Sequence, residues 1–288
     1  MLDCNSGGCL LITPFLYILR IGEKKYMDDS IKVQKLTGQQ QRILKLLFKF
    51  RFVSAGLLAD VMGIHRVSVY EVLEQLVRKG LVAKVYEPKF RIDRKPAYYY
   101  LNKTGVTTVR KLMDVKEPVV HALYKNDEIT DEFVDHSMKL MRCYVSIMKH
   151  IPEGSDIFSK TEINRFRQFP KTRPDMYVRT PDGREAIVVI ADDKPLYIVR
   201  KRLEEILAHS EDEAWDGDYP RICFVLKDNS AKYSFLYTTN KKLEAMGVDD
   251  DELSVLAATL SSFDSDVANP WSTSSAPKKY VSLFDQTA

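Results

Sequence analysis

The 288-residue chain is long enough for about two domains, and its 45% of hydrophobic residues is typical of a soluble globular protein. Its four cysteines form no CxxC pair and no Cys/His cluster, which argues against a structural zinc site and fits a reducing cytoplasm. The apolar run Leu10–Leu19 is far shorter than the about 20 residues of a membrane-spanning helix, so we expect a cytoplasmic protein with no membrane partner.

Residues 1–36 are interpreted as a leader, and three helical segments follow it. The first begins after Thr37, and the second begins at Ser54, an N-cap residue type, and turns at Gly63. The third runs from His65 to Lys79 and is stopped by Gly80. Apolar residues at helical spacing predict the buried positions Ile43, Leu44, Leu47, Phe48, Leu57, Leu58, Val61, Val69, Val72, Leu73 and Leu76.

Two segments rich in strand-forming residues come next, at Leu81–Tyr86 and Ala97–Leu101. A basic loop, Lys89–Lys95, separates them. The order helix, helix, helix, strand, loop, strand is that of a winged helix-turn-helix, here predicted over residues 37–116 with a further helix at Lys103–Met113.

The charge is unevenly distributed along the chain. Residues 32–116 contain 18 Lys and Arg against 6 Asp and Glu, a net charge of +12, whereas the whole chain carries +3 and the remainder therefore −9. Phosphate neutralisation by such a basic module predicts double-stranded DNA as the partner. The alternative is a winged helix that mediates a protein–protein contact, such as a homodimer, with the charge on a solvated face.

The predicted DNA contacts lie on two elements. The start of the third helix would face the major groove, and the wing would contact phosphates or the minor groove. The residues concerned are Arg66, Val67, Ser68, Tyr70 and Glu71 on the helix, and Lys89, Arg91, Arg94 and Lys95 on the wing.

The second half of the chain is predicted to be a small α/β domain over residues 119–264, after a hinge at Val115–Pro118 and before a loose tail at residues 265–288. Its first element is a long helix at His121–His150. An edge strand within Asp156–Phe166, strands at Asp175–Thr180 and Glu185–Ala191, a helix at Ile198–His209 and a strand at Arg221–Leu226 predict a sheet with one crossover; Asn229–Met246 is expected to be mostly helical. In the tail, Ser272–Pro277 is expected to be loose and Tyr280–Phe284 to dock as a last strand.

This half contains a pattern typical of metal-dependent nucleases, in which Asp175 is followed by Asp192 and Lys194. Phosphodiester hydrolysis uses a divalent metal on carboxylates and a lysine beside the attacked phosphate. Asp192 and Lys194 would project from one strand face, the hairpin would bring Asp175 beside them, and Glu162 could complete the site. The alternative is that Asp175 and Asp192 are solvent-facing residues at strand ends. We find no Ser/His/Asp arrangement, no phosphate-binding glycine loop and no HExxH motif.

Several motifs together resemble the replication-relaxation family of plasmids and other mobile elements. The likeness runs over most of residues 36–285 and rests on Leu36-Thr37, Arg51–Ser54, Leu76–Leu81, Ala97–Gly105, His121–Leu123, Asn126-Asp127, Arg173–Asp175, Pro181–Gly183, Tyr219–Val225, Trp271 and Val281–Leu283. The resemblance implies a winged helix joined to a restriction-endonuclease-like domain of mixed α+β or α/β class. It also implies that the protein has replication or mobilisation proteins as partners.

One departure from the family pattern bears on catalysis. The family usually has Glu-x-Asp on the third strand, where this chain has Ile190-Ala191-Asp192. We therefore expect a DNA-binding protein with an inactive nuclease-like domain and no cofactor. The alternatives are a nuclease dependent on Mg²⁺ or Mn²⁺, with Asp175 and Asp192 as ligands, and a winged helix transcriptional regulator.

Overall fold

The protein is described from a computed structural model over residues 36–113, 117–126, 129–164, 166–211, 215, 217–249, 252–264 and 270–284. Except for Leu36, the expected leader lies outside these residues. The same holds for residues 115–116 of the expected hinge and for residues 265–269 and 285–288 of the expected tail. Across the described residues the architecture is mixed α+β, as expected, with two sheets.

The first three helices are α1 (Gly38–Phe50), α2 (Ala55–Met62) and α3 (Arg66–Arg78), which confirms the three helical segments. Their ends follow local rules. The Thr37 and Ser54 side chains cap α1 and α2, and Gly63 ends α2 with a positive φ of 65°. Every predicted core position in these helices is buried except Leu57, which is half-buried.

A three-stranded antiparallel sheet packs with these helices, in the order β1 (Val53–Ser54), β3 (Tyr98–Leu101), β2 (Val82–Val85). The loop predicted between β2 and β3 is wrong in part, because it contains a short helix, α4 (Pro88–Ile92). Pro88 stands at the first turn, where proline is favoured. Phe90 is buried and its ring packs on Tyr98, and this contact holds α4 against β3.

Helix α5 (Lys103–Met113) has the predicted bounds. It passes so close to the backbone of Leu81 that a Cβ at Gly105 would lie 1.9 Å from the Leu81 carbonyl oxygen.

The predicted continuous helix at residues 121–150 is wrong. Two helices occur instead, α6 (Glu117–Leu123) and α7 (Asp131–His150), and α7 begins at an N-cap in which Thr130 accepts a hydrogen bond from the Phe133 N–H.

The second sheet has six strands in chain order, so that each strand pairs with the next. Strands β6 (Glu185–Ile190), β7 (Arg221–Leu226) and β8 (Val255–Thr259) are parallel to one another, and the other neighbouring pairs are antiparallel. Two helical crossovers connect the three parallel strands, one more than predicted. The elements are β4 (Asp156–Ser159), α8 (Lys160–Ile163), β5 (Met176–Arg179), β6 (Glu185–Ile190), α9 (Leu196–Ser210), β7 (Arg221–Leu226), α10 (Asn229–Met246), β8 (Val255–Thr259) and β9 (Ser272–Thr273).

Alternation along the strands divides the core into two layers. Val188 and Ile190 of β6 belong to a layer that includes α7 and continues into the core of α1–α3. Ile187 and Val189, one residue out of phase, belong to the layer beneath α9 and α10. One hydrophobic core therefore joins the N-terminal helices to one face of the large sheet.

Residues 270–284 form more regular structure than their composition predicted. Ser272, Thr273 and Ser274 are buried, because β9 pairs with β8, so the expectation of a loose segment there is wrong. The expected final strand is reduced to a single bridge between Trp271 and Val281, although Leu283 and Phe284 are buried. Within the described ranges, no helix has the length and apolarity to cross a membrane.

Candidate nucleic-acid interface and carboxylate site

The start of α3 presents a row of side chains to solvent. His65 precedes the helix and caps it, accepting a hydrogen bond at Nδ1 from the Val67 N–H over 3.3 Å. Arg66, Val67 and Ser68 are exposed, with 55% of Val67 accessible. Because Val69 and Val72 are buried, the helix turns the predicted contact residues outward.

Arg66 and Tyr70 form a unit on this surface. The Arg66 guanidinium donates to the Tyr70 hydroxyl over 2.9 Å and lies 5.4 Å from the centre of its ring. Arg66 makes no ion pair with any described residue, and exposed Glu71 follows one position after Tyr70. The guanidinium is thus held in place with its charge uncompensated by a carboxylate contact.

The basic residues around α4 fall into two groups. Lys89 pairs with Glu87 over 2.9 Å, and Lys95 approaches Asp135 of α7 at 3.8 Å. Arg91 and Arg94 are exposed and form no ion pair in the described part of the chain. Arg94 also adopts a positive φ of 54°, a conformation that costs a non-glycine residue about 1 kcal/mol.

Asp175 lies just before β5 and is buried. Its Oδ2 accepts a hydrogen bond from the Ile190 N–H over 2.8 Å, and its Oδ1 lies 3.2 Å from Nε2 of His136 on α7. The expectation of a solvent-facing strand end is therefore wrong for this residue. The carboxylate instead joins β5, β6 and α7.

Asp192 stands in the turn after β6, because the strand ends at Ile190. The prediction that Asp192 and Lys194 share one strand face is thus wrong. Oδ2 of Asp192 receives a 2.7 Å ion pair from Lys139 of α7. Its Oδ1 is buried and has no hydrogen-bond partner among the described atoms.

The other two predicted catalytic residues, Lys194 and Glu162, form ion pairs with residues other than Asp175 and Asp192. Lys194 is about half exposed and pairs with its neighbour Asp193 over 3.1 Å. Glu162 accepts from the Ser159 N–H at the start of α8 and pairs with Lys49 of α1 at 3.2 Å. No cluster of three His, Cys, Asp or Glu side chains suited to a metal ion forms within the described residues, so Glu162 does not complete a site with the two aspartates.

Sequence reasoning missed the partners of the two aspartates. His136 and Lys139 are three residues apart on α7 and so lie on one helix face, from which they reach Asp175 and Asp192. The available signal was the three-residue spacing of these two basic side chains on a helix that also carries buried apolar residues. Cys143, one turn further on, is fully buried, and burial raises the pKa of its thiol, which makes it a packing residue rather than a nucleophile.

A further set of polar contacts ties α1 to the rest of the molecule. Lys49 donates to the carbonyl oxygen of Ile157 on β4, and its ammonium lies 4.9 Å from the centre of the Tyr144 ring. Arg51, at the end of α1, has a positive φ of 64° and donates to Oδ1 of buried Asn126 over 2.7 Å. These bonds fix the N-terminal helices against β4 and the α6–α7 connection.

The sequence profile of the family described as replication-relaxation matches residues 44–198, just over half of the 288-residue chain. The matched region begins in α1 and ends in α9, so it includes α3, α7 and both aspartates. No curated protein matches the chain.

Proposed function

Because the chain belongs to the replication-relaxation family, we propose that it binds duplex DNA of a plasmid or other mobile element and acts in the replication or mobilisation of that element. We propose further that residues 37–116 are a winged helix with α3 as its recognition helix. The observation that carries this proposal is the exposed start of α3, where Arg66 has no carboxylate partner among the described residues.

The chemistry of this face suits a base edge better than a phosphate alone. Arginine can donate two hydrogen bonds to guanine in the major groove, and Tyr70 holds Arg66 in place before binding. Val67 offers apolar contact of the kind that suits the methyl group of thymine. Ser68 and Glu71 supply further polar contacts beside them.

The segment around α4 is proposed as the wing, with a refined set of contacts. Lys89 and Lys95 already have carboxylate partners, Glu87 and Asp135. Arg91 and Arg94 are therefore the stronger candidates for phosphate contacts, because no competing ion pair within the described structure has to be broken.

For the six-stranded half we propose a nuclease-like scaffold that does not cut. His136 contacts Asp175, and Lys139 forms an ion pair with Asp192, where a nuclease would use a divalent metal. Glu162 and Lys194 point to other partners. The residues present thus do not fit a Mg²⁺ or Mn²⁺ centre, and the pair of aspartates serves to fix α7 on the sheet.

One observation favours the alternative of a metal-dependent nuclease: the buried Oδ1 of Asp192 lacks a hydrogen-bond partner among the described atoms. A plasmid-nicking assay with Mg²⁺ or Mn²⁺ distinguishes the inactive scaffold from the nuclease. We expect no nicking by the wild type. Metal-dependent nicking that disappears in Asp175→Asn would establish the nuclease instead.

The DNA-binding proposal is tested by sequence preference. Wild-type protein is incubated with a pool of randomised 30-base-pair duplexes, and the bound fraction is sequenced. Arg66→Ala should flatten the preference at one or two positions, because one bidentate base contact contributes about 1–3 kcal/mol of discrimination. Lys201→Ala, at an exposed position on α9, is the matched control and should leave the preference unchanged. An unchanged preference in Arg66→Ala would remove α3 as the recognition helix.

A further inference from the structure

Helix α10 carries a stripe of aromatic and basic residues on its outer side. Tyr233, Tyr237 and Lys241 follow one another at four-residue steps and therefore share one helix face. Tyr237 is 60% exposed and Tyr233 37% exposed. The Lys241 ammonium lies 4.6 Å from the centre of the Tyr237 ring. An exposed tyrosine pair of this kind is not required by the core, which α10 contacts through Phe235 and Leu236.

The C-terminal segment forms the second wall of a groove along this stripe. The open groove has a volume of about 530 Å³. Its lining consists of Tyr233, Tyr237, Ala276, Pro277, Lys278 and Lys279. The floor is thus aromatic and apolar, whereas the rim is cationic.

A buried lysine holds the two walls together. Lys232 is fully buried, and its ammonium lies 4.9 Å from the centre of the Tyr233 ring and 4.8 Å from that of Tyr280. It also donates to the Ser272 hydroxyl over 3.4 Å. Since cation–π contacts of this kind favour a fixed ring position, the aromatic groups are arranged before any ligand arrives.

We propose that this groove binds single-stranded nucleic acid, with bases stacked on Tyr237 and Tyr233 and phosphates on Lys241, Lys278 and Lys279. Stacking on aromatic rings together with backbone contacts to cations is the general mode of single-strand binding. Lys278 and Lys279 form no ion pair with any described residue, and Glu244 is an acidic neighbour of Lys241. This excess of positive charge selects a polyanion over an apolar peptide.

The groove is independent of the proposed duplex contact on α3, because it lies on α10 and the C-terminal segment. A protein that holds a duplex on one element and a single strand on another is suited to DNA that is being opened. The single-strand site stands even if the duplex proposal fails, and the experiment below separates the two.

The test measures fluorescence anisotropy of labelled 15-nucleotide oligo(dT) and oligo(rU) with the full chain at low salt. Tyr237→Ala should weaken binding about tenfold, because each stacked base contributes on the order of 1–3 kcal/mol. Tyr237→Phe should bind as the wild type does, since it keeps the ring. The double variant Lys278→Ala/Lys279→Ala should reduce the slope of log affinity against log salt by about 1.4, or 0.7 for each lost phosphate contact. A preference between the two oligonucleotides identifies the sugar.

Two controls make the result decisive. Tyr197→Ala removes a tyrosine that is 70% exposed outside the groove and should not change the affinity. Arg66→Ala should retain oligonucleotide binding while it alters duplex recognition. The proposal is overturned if the wild type does not bind either oligonucleotide, or if Tyr237→Ala binds as the wild type does. It is equally overturned if Tyr237→Leu keeps full affinity, because an apolar groove for peptides would behave in that way.

Discussion

Two regions of the molecule differ in how their charged side chains are partnered: the outer face of α3 and α4, and the ends of strands β5 and β6 beside α7. On the first, Arg66, Arg91 and Arg94 are exposed without an ion pair among the described residues. On the second, Asp175 and Asp192 are nearly buried, and α7 supplies a partner for each. Unpaired surface charge is available to a ligand, whereas buried paired charge is part of the folded structure. The comparison supports the proposal that the first region serves recognition and the second serves stability.

The largest effect on stability is expected from Lys139→Met. The substitution leaves Asp192 buried without a cation, and breaking such a pair should lower the free energy of unfolding by about 3 kcal/mol. Urea denaturation followed by tryptophan fluorescence measures the change. Adding Asp192→Asn to this variant should recover much of the loss. A loss below about 1 kcal/mol would show that the ion pair does not stabilise the packing of α7 on the end of β6.

Asp175→Ala should lower the free energy of unfolding by about 2 kcal/mol, because the buried Ile190 N–H and His136 both lose an acceptor. Asp175→Asn keeps an oxygen that can accept from Ile190 and should lose less than half as much. Denaturation under the same conditions compares the two variants. Equal losses would mean that the negative charge, and not the hydrogen bond, is the important feature of Asp175.

The wing is tested through the salt dependence of duplex binding. Arg91→Ala/Arg94→Ala should weaken binding to all sequences alike and reduce the slope of log affinity against log salt by about 1.8, or 0.9 for each phosphate contact. The matched pair Lys89→Ala/Lys95→Ala should change the slope less, since both lysines already have carboxylate partners. If the lysine pair changed the slope more, the assignment of the wing contacts would be reversed.

The smallest effect on stability belongs to the recognition residue itself. Arg66→Ala should change the free energy of unfolding by less than about 0.5 kcal/mol, because Arg66 is exposed and its hydrogen bond to Tyr70 is exposed as well. Thermal denaturation is sufficient to measure it. A loss comparable to that of Lys139→Met would remove the distinction between the two regions.

Most elements could be predicted because their signals are local. Thr37, Ser54 and Gly63 mark helix ends by capping and by a positive φ, and Pro181–Gly183 forms the predicted turn between β5 and β6. The break before α7 also had a local signal, an N-cap threonine followed by two acidic residues, which the apolar pattern of the long segment concealed.

The remaining features depend on contacts that are distant in sequence. His136 and Asp175 are 39 residues apart, and neither position indicates the other. Helix α4 forms where Phe90 is buried against Tyr98, and polar residues 272–274 become buried because β9 pairs with β8. In these segments, tertiary contacts determine the conformation and the burial, and local composition predicts neither. The family resemblance was confirmed over residues 44–198, whereas the roles of the individual site residues stay predictions.

The central claim is that the N-terminal face holds duplex DNA. The most direct measurement is a titration of the full chain against a labelled 30-base-pair duplex at about 50 and 200 mM salt. We predict clear binding in dilute salt that weakens steeply at the higher concentration and is reduced by Arg91→Ala/Arg94→Ala. No affinity for any duplex at the lower salt concentration would contradict the claim.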